Sequence, residues 1–211
     1  MFKSNLLKPL GITLDDLQIQ IFEKYIDLFL QKNSQINLIS KNDEKFLFEK
    51  HIYDSLALNL FLKNNNDNKT ILDIGTGGGF PSVPLAILYN NFKITAIDSI
   101  RKKINTVDFF KKELLLKNLN PVCDRVENIN EKYDYVVSRA VASLDKILEY
   151  AIPHVKKDGY FIAYKSKKYE EEINLAKSVI KKYKLKSPNI LSYNLPLDDI
   201  YERNLIIFKR L

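Results

Sequence analysis

The sequence predicts an α/β protein built on a mostly parallel, doubly wound sheet. Two observations carry this expectation. From Lys69 onward, short apolar runs alternate with longer runs of helical periodicity, the pattern of strand–helix–strand units. The first apolar run, Thr70-Ile71-Leu72-Asp73-Ile74, leads straight into Gly75-Thr76-Gly77-Gly78-Gly79-Phe80-Pro81. A strand, a tight glycine turn and a helix N-terminus therefore follow one another, with backbone N–H groups facing whatever sits there.

Ahead of the sheet, Thr13-Leu14-Asp15-Asp16 reads as a capping signature with Thr13 at the N-cap. Leu14, Leu17, Ile21, Tyr25, Leu28 and Phe29 recur at helical spacing and predict a helix reaching Lys32. A second helix is predicted over residues 43–62, with Phe46, Phe48, Ile52, Leu56, Leu60 and Phe61 inward. Residues 1–63 thus form an N-terminal helical extension packed on the core, which occupies residues 69–211. The polar run Asn64-Asn65-Asn66-Asp67-Asn68 is the boundary loop.

Within the core, strands are expected at 70–74, 93–97, 121–126, 133–138 and 160–164, the last following an Asp158-Gly159 turn. Helices are expected at 81–90, 101–117, 144–155 and 168–184. Residues 190–193 and 205–208 close the sheet as a hairpin-like pair, giving seven strands. In open α/β sheets ligands lie beyond the carboxyl ends of the strands. That rule gathers Gly75 to Phe80, Asp98-Ser99, Val126-Glu127 and Ser138-Arg139 at one mouth.

The glycines at 75, 77 and 79 make G-x-G-x-G, and Phe80 or Ser82 occupies the third glycine place of a dinucleotide fingerprint. No P-loop lysine follows, so a pyrophosphate is disfavoured. Asp98, closing the second strand, is placed to accept hydrogen bonds from ribose hydroxyls. A nucleoside carrying no phosphate, S-adenosylmethionine, fits both features. An NAD-linked oxidoreductase is a distant rival.

At 211 residues and 45% hydrophobic content the chain has the composition of an ordinary globular protein. No apolar run approaches the roughly 20 residues of a membrane span, and Lys8 and Pro9 interrupt any signal-like start, so the expectation is a cytoplasmic protein without membrane association. The single cysteine, Cys123, forms no internal disulfide or cysteine metal cluster and reads as an inert buried thiol. His51 and Asp54 stand i, i+3 without an evident third ligand; a pair lining the pocket wall is favoured, and no metal is expected. His154 reads as structural. Net charge +7 admits a polyanionic partner, although only five of the 33 basic residues are arginine and abundant lysine can reflect a biased genome as easily as a binding surface. Lys102, Lys103, Lys111, Lys112, Lys165, Lys167 and Lys168 are candidates for a basic rim. Tyr53, Phe80 and Tyr164 are aromatic candidates for stacking on a base, with core packing as the default.

In combination, His51-Ile52-Tyr53-Asp54-Ser55-Leu56, Asn37-Leu38-Ile39-Ser40, the run 71–81, Asp98-Ser99, Arg125-Val126-Glu127 and Ser138-Arg139-Ala140 resemble the RsmG family, the bacterial small-subunit rRNA methyltransferases once called glucose-inhibited division protein B. The resemblance implies a class I S-adenosylmethionine-dependent methyltransferase fold, Rossmann-like, acting on 16S rRNA or the small ribosomal subunit as a monomer. Its implied product is 7-methylguanosine at guanine 527 in rRNA numbering. It places donor contacts on Gly75, Phe80, Val126, Glu127 and Arg139, alongside Gly77, Gly79 and Asp98 from the spacing argument. Arg139, Asp54 and Lys165 are the candidates for catalytic roles, with Asp54 or Glu127 placed to tolerate charge developing on guanine. Two positions depart from the family pattern: Ser82 and Ser166 stand where glycine is usual.

Guanine N7 carries no proton, so its methylation needs alignment and no general base. Consistently, Ser138-Arg139-Ala140 replaces the Asn/Asp-Pro-Pro-aromatic motif of exocyclic-amine methylation, and cytosine-C5 chemistry would need a cysteine nucleophile. Arg139 is suited to bidentate pairing with the donor carboxylate or a phosphate, the rival being an ion pair with Asp73 or Asp98. Two other readings stay open: methylation of another RNA or a protein, and a non-catalytic RNA-binding module of the same fold.

Overall fold

The computed structural model describes residues 2–63 and 67–211. Strands β1 (Thr70–Ile74), β2 (Lys93–Ile97), β3 (Leu119–Val122), β4 (Tyr133–Arg139), β5 (Val155–Ser166), β6 (Asn189–Asn194) and β7 (Glu202–Lys209) form one sheet in the order β3-β2-β1-β4-β5-β7-β6. The first five run parallel, while β7 is antiparallel to both β5 and β6. The predicted closing hairpin is therefore present. The chain reverses direction of winding between β1 and β4, which opens a crevice at their carboxyl ends.

Helices precede and separate these strands: α1 (Asp16–Ile36), α2 (Lys41–Glu44), α3 (Asp54–Leu56), α4 (Asn59–Leu62), α5 (Ser82–Leu88), α6 (Arg101–Glu113), α7 (Leu144–Ala151), α8 (Tyr169–Leu175) and α9 (Lys177–Lys182). β3 runs over Leu119–Val122 against an expected 121–126, β5 starts at Val155 and takes in the expected Asp158-Gly159 turn, and three further predicted elements take another form. The cap of α1 is Asp15, not Thr13: Asp15 Oδ1 accepts from Gln18 N–H at 2.7 Å and Gln18 Oε1 accepts from Asp15 N–H at 3.2 Å. Gln18 also reaches the Ile87 and Leu88 carbonyls ending α5, so the reciprocal cap ties α1 to the core. The helix expected over 43–62 is broken, with Leu47–Tyr53 wound as a π-helix between short α-helical turns. The helix expected over 168–184 is divided at Ala176. Asn64, Asn65 and Asn66 of the expected boundary loop lie outside the described residues.

One face of the sheet and the N-terminal helices share a single apolar cluster. Tyr25 and Phe29 of α1 are fully buried against Phe80 and Phe110, with ring centroids 5.0–6.1 Å apart, and fully buried Phe22 stacks on Phe2 at 4.9 Å. Such a ring contributes on the order of 2–3 kcal/mol through burial. A second cluster, on the other face, unites α7 with β4, β5 and β7. Among the described residues, no helix is long and apolar enough to cross a membrane.

Candidate donor and substrate site

Strand register assembles the site. Ile74 pairs with Ile97 on one side and with Ser138 on the other, so Gly75, Asp98 and Arg139, each one residue further on, emerge side by side. Gly75, Gly77 and Gly79 have φ of 71°, 57° and 95°, all in the left-handed region. A Cβ on Gly75 would stand 2.4 Å from Val141 Cγ2. Gly79 instead serves packing, because its Cβ would meet Val83 at 2.7 Å.

Among the cavities that border the glycine turn in the described residues, two meet at Gly75. One, of about 430 Å³, is walled by Ile74, Gly75, Asp98, Ser99, Val126 and Glu127 among others. Asp98 Oδ2 accepts from Gly77 N–H at 3.0 Å, and Oδ1 accepts from Ile100 N–H at 2.9 Å. Each oxygen keeps a second lone pair for a ligand hydroxyl. Val126 is buried and Glu127 exposed at the rim. A bare glycine floor, a carboxylate with spare acceptor capacity and an apolar wall fit an adenosyl group.

The other cavity, of about 460 Å³, is lined by Gly75, Gly77, Phe80, His51, Asp54 and Arg139, together with Asp43, Lys50, Lys103, Arg203 and Tyr201. Its four cationic side chains outnumber its two carboxylates, which suits a polyanion. The cavities share Gly75, Lys103 and Ala140, so the glycine turn is the neck between them.

Arg139 is paired with neither Asp73 nor Asp98. Its Nη1 donates to Asp54 Oδ2 at 3.0 Å and to the Lys50 carbonyl at 3.1 Å, while Nη2 bonds His51 Nδ1 at 3.1 Å. Phe80 lies beneath its guanidinium, 5.1 Å from ring centroid to Cζ. A guanidinium only donates, so His51 Nδ1 must accept and the ring proton sits on Nε2. Burial and the charge of Arg139 push His51 down to about 4, which keeps it neutral near pH 7. The π-helical turn carries both Lys50 and His51 to this contact.

Asp54 is buried and carries no spare charge. Burial alone would raise its pKa, but Arg203 and Arg139 hold it below the usual carboxylate value, and Tyr193 Oη donates to Oδ1 at 2.7 Å. The negative charge of Asp54, expected to help toward charge on a substrate, is already matched by two arginines. Arg203 and Tyr193 were not singled out from sequence. The scarcity of arginine was the available signal, and the antiparallel register that opposes Tyr193 to Arg203 was not.

Lys165, also a candidate for a catalytic role, is turned elsewhere. It is not among the residues lining either cavity; its Nζ donates to the Ala142 carbonyl at 2.9 Å and pairs with Glu172 at 2.5 Å. Asp73 is fully buried behind the turn, and burial, partly offset by Thr76 and Ser82, raises it to about 6. Ser82, where the family pattern has glycine, fits because its hydroxyl meets Thr76 and its N–H meets Asp73. Cys123 is half-buried, with Sγ toward the Ser99 carbonyl, and so is less enclosed than expected. Tyr53 and Tyr164 are core residues, Tyr164 bonding the Ser55 carbonyl. His154 is buried and faces the Glu131 carbonyl. Of the predicted basic rim, Lys103 reaches both cavities, whereas Lys112 pairs with Asp108 within α6. No cluster of three metal-ligating side chains occurs among the described residues.

Comparison with known proteins agrees with this geometry. Among solved structures, an S-adenosylmethionine-dependent O-methyltransferase from Thermotoga maritima superposes with a TM-score of 0.60 at 14% identity, covering 75% of this chain and 64% of that one. TYW2 from M. jannaschii, solved with AdoMet, gives 0.56 at 22% identity over 70% of this chain and 72% of that one. These likenesses establish the class I methyltransferase fold. Sequence relatives are nearer. Ribosomal RNA small subunit methyltransferase G of Bacillus subtilis is 36% identical over 95% of this chain and 86% of that protein, and its Staphylococcus saprophyticus counterpart is 40% identical over 95% and 85%. A family model described as GidB, rRNA small subunit methyltransferase G, matches residues 18–205, and the chain belongs to that family.

Proposed function

We propose that this protein methylates N7 of guanine 527 in 16S rRNA, with S-adenosylmethionine as donor. The observation that carries this reading is the pair of cavities joined at Gly75 and Ala140: one suited to a nucleoside, the other net cationic. S-adenosylmethionine, when bound, supplies a methyl group on a sulfonium sulfur. Asp98 accepts from the ribose hydroxyls, Val126 and Glu127 border the adenine, and Gly75 and Gly77 leave room at the neck. Arg139 and His51, held against buried Phe80, form the wall for the target base.

N7 presents its lone pair without losing a proton, so the protein's task is alignment and exclusion of water. Neutral His51, fixed in one tautomer by Arg139, offers no base and needs to offer none. Arg139 acts by holding the wall, and Lys50, Lys103 and Arg203 surround the RNA phosphates. Purified protein should transfer label from the donor to small-subunit RNA lacking the modification. Borohydride and aniline treatment should then cleave that RNA at a single guanine. Label in another RNA or in protein would overturn the assignment, and donor binding without turnover would identify a non-catalytic module.

A further inference from the structure

Across the neck from the glycine turn stands Ala140, the first residue of the connection 140–143 from β4 to α7. Ala140 holds a φ of 55°, a left-handed conformation that persists in a non-glycine residue only when its surroundings enforce it. Val141 is 45% exposed and nonetheless lies against the glycine turn at Gly75. Two of the hydrogen bonds that hold this segment lead to one pair of side chains. Lys165 Nζ donates to the Ala142 carbonyl at 2.9 Å, and Leu144 N–H donates to Glu172 Oε2 at 2.9 Å. The same Oε2 meets Lys165 Nζ at 2.5 Å. The pair is mostly buried, with the side chains 12% and 26% exposed.

Ser143, at the N-cap of α7, makes no side-chain capping bond. Glu172 supplies that cap from a different helix, where a carboxylate also complements the positive end of α7. Glu170 and Glu171 beside it are exposed, so the acidic run 170–172 is not uniformly a solvated face.

We propose that Glu172, acting with Lys165 through the 140–144 segment, is a positioning residue that sets the neck of the donor pocket. The inference rests on reading that pocket as the S-adenosylmethionine site. It also gives Lys165 a role that requires no contact with substrate.

The test compares Glu172→Ala, Glu172→Gln, Lys165→Met and the double variant Glu172→Ala/Lys165→Met. Binding of S-adenosylhomocysteine is measured by calorimetry, hydrogen exchange of the 141–144 amides by mass spectrometry, and melting temperature alongside. Each loss-of-clamp variant should weaken binding about tenfold, the size of one or two lost hydrogen bonds, and should speed exchange at 141–144. The double variant should be no worse than the singles, since both act through one segment. Glu172→Gln keeps an oxygen for Leu144 N–H and should recover part of the affinity. A lower melting temperature with unchanged affinity and unchanged exchange would overturn the proposal. Were the wild-type protein itself unable to bind S-adenosylhomocysteine, the donor reading would fail; exchange at 141–144 would still decide the clamp.

Discussion

Asp54 of the N-terminal helices and Arg203 of β7, 149 residues apart in sequence, are joined by hydrogen bonds of 3.0 and 3.3 Å. Arg139 occupies the other side of the same carboxylate, and all three side chains lie in the cavity wall. Removing one member of such a buried set leaves the others uncompensated. Asp54→Ala is expected to lower stability by about 3–5 kcal/mol, measured by urea unfolding, and to abolish methyl transfer. Asp54→Asn should fall between it and wild type, because shape and one acceptor remain.

Gly75 and Gly78 separate ligand access from ordinary packing. At Gly75 an added Cβ meets Val141 at 2.4 Å on a left-handed backbone, while at Gly78 the nearest atom is Leu38 Cβ at 3.3 Å. Gly75→Ala should cut donor affinity at least tenfold, on the order of 1.4 kcal/mol or more, from strain and a filled neck. Gly78→Ala should leave it within about twofold, a few tenths of a kcal/mol, as expected for a contact that a small shift relieves. Calorimetry with S-adenosylhomocysteine compares the two.

Asp98 offers two acceptor oxygens at the nucleoside cavity, while Glu127 stands exposed at its rim. Asp98→Asn should raise KM for the donor roughly 10- to 100-fold, the value of charge-assisted hydrogen bonds. Glu127→Gln should cost less than about tenfold, since solvent competes at the rim. Equal effects would contradict the assignment of the ribose to Asp98.

His51 and Asp73 give the same region opposite responses to acid. His51 is pushed down to about 4 and Asp73 up to about 6. Stability from neutral His51 is present above the ordinary histidine value and is lost as pH falls toward 4. Asp73 takes up its proton more readily folded than unfolded, so its contribution grows as pH falls from 6 toward the ordinary aspartate value. The two oppose each other between about pH 4 and 6. His51→Gln should therefore gain stability on acidification relative to wild type, and Asp73→Asn should lose it more steeply. Urea midpoints across pH 4–7 provide the measurement.

The alternation of strands and helices was readable because each parallel strand is a short apolar run closed by a small or polar residue. β1 and β2 begin and end where the pattern placed them, and Gly75, Asp98 and Arg139 meet as the parallel register requires. What sequence did not disclose depends on long-range partners. The π-helical turn at 47–53 accompanies Arg139 gripping the Lys50 carbonyl, a contact across 89 residues that overrides local helical spacing. Arg203, Tyr193 and Glu172 carry no local motif; their roles follow from an antiparallel strand pair and a helix crossing. Lys165 was placed by resemblance at the chemistry, and only its partners, Ala142 and Glu172, reveal the direction it takes.

The carboxylate at Asp54 is translated early, whereas Tyr193 and Arg203 come from the last hairpin. A growing polypeptide thus carries this acid first with Arg139 as its counter-ion, and Arg203 joins it only once the hairpin has been made. Full compensation of the buried carboxylate therefore depends on contacts that span nearly the whole chain. Fragments ending before Arg203 should accordingly unfold at lower urea concentration than the whole chain.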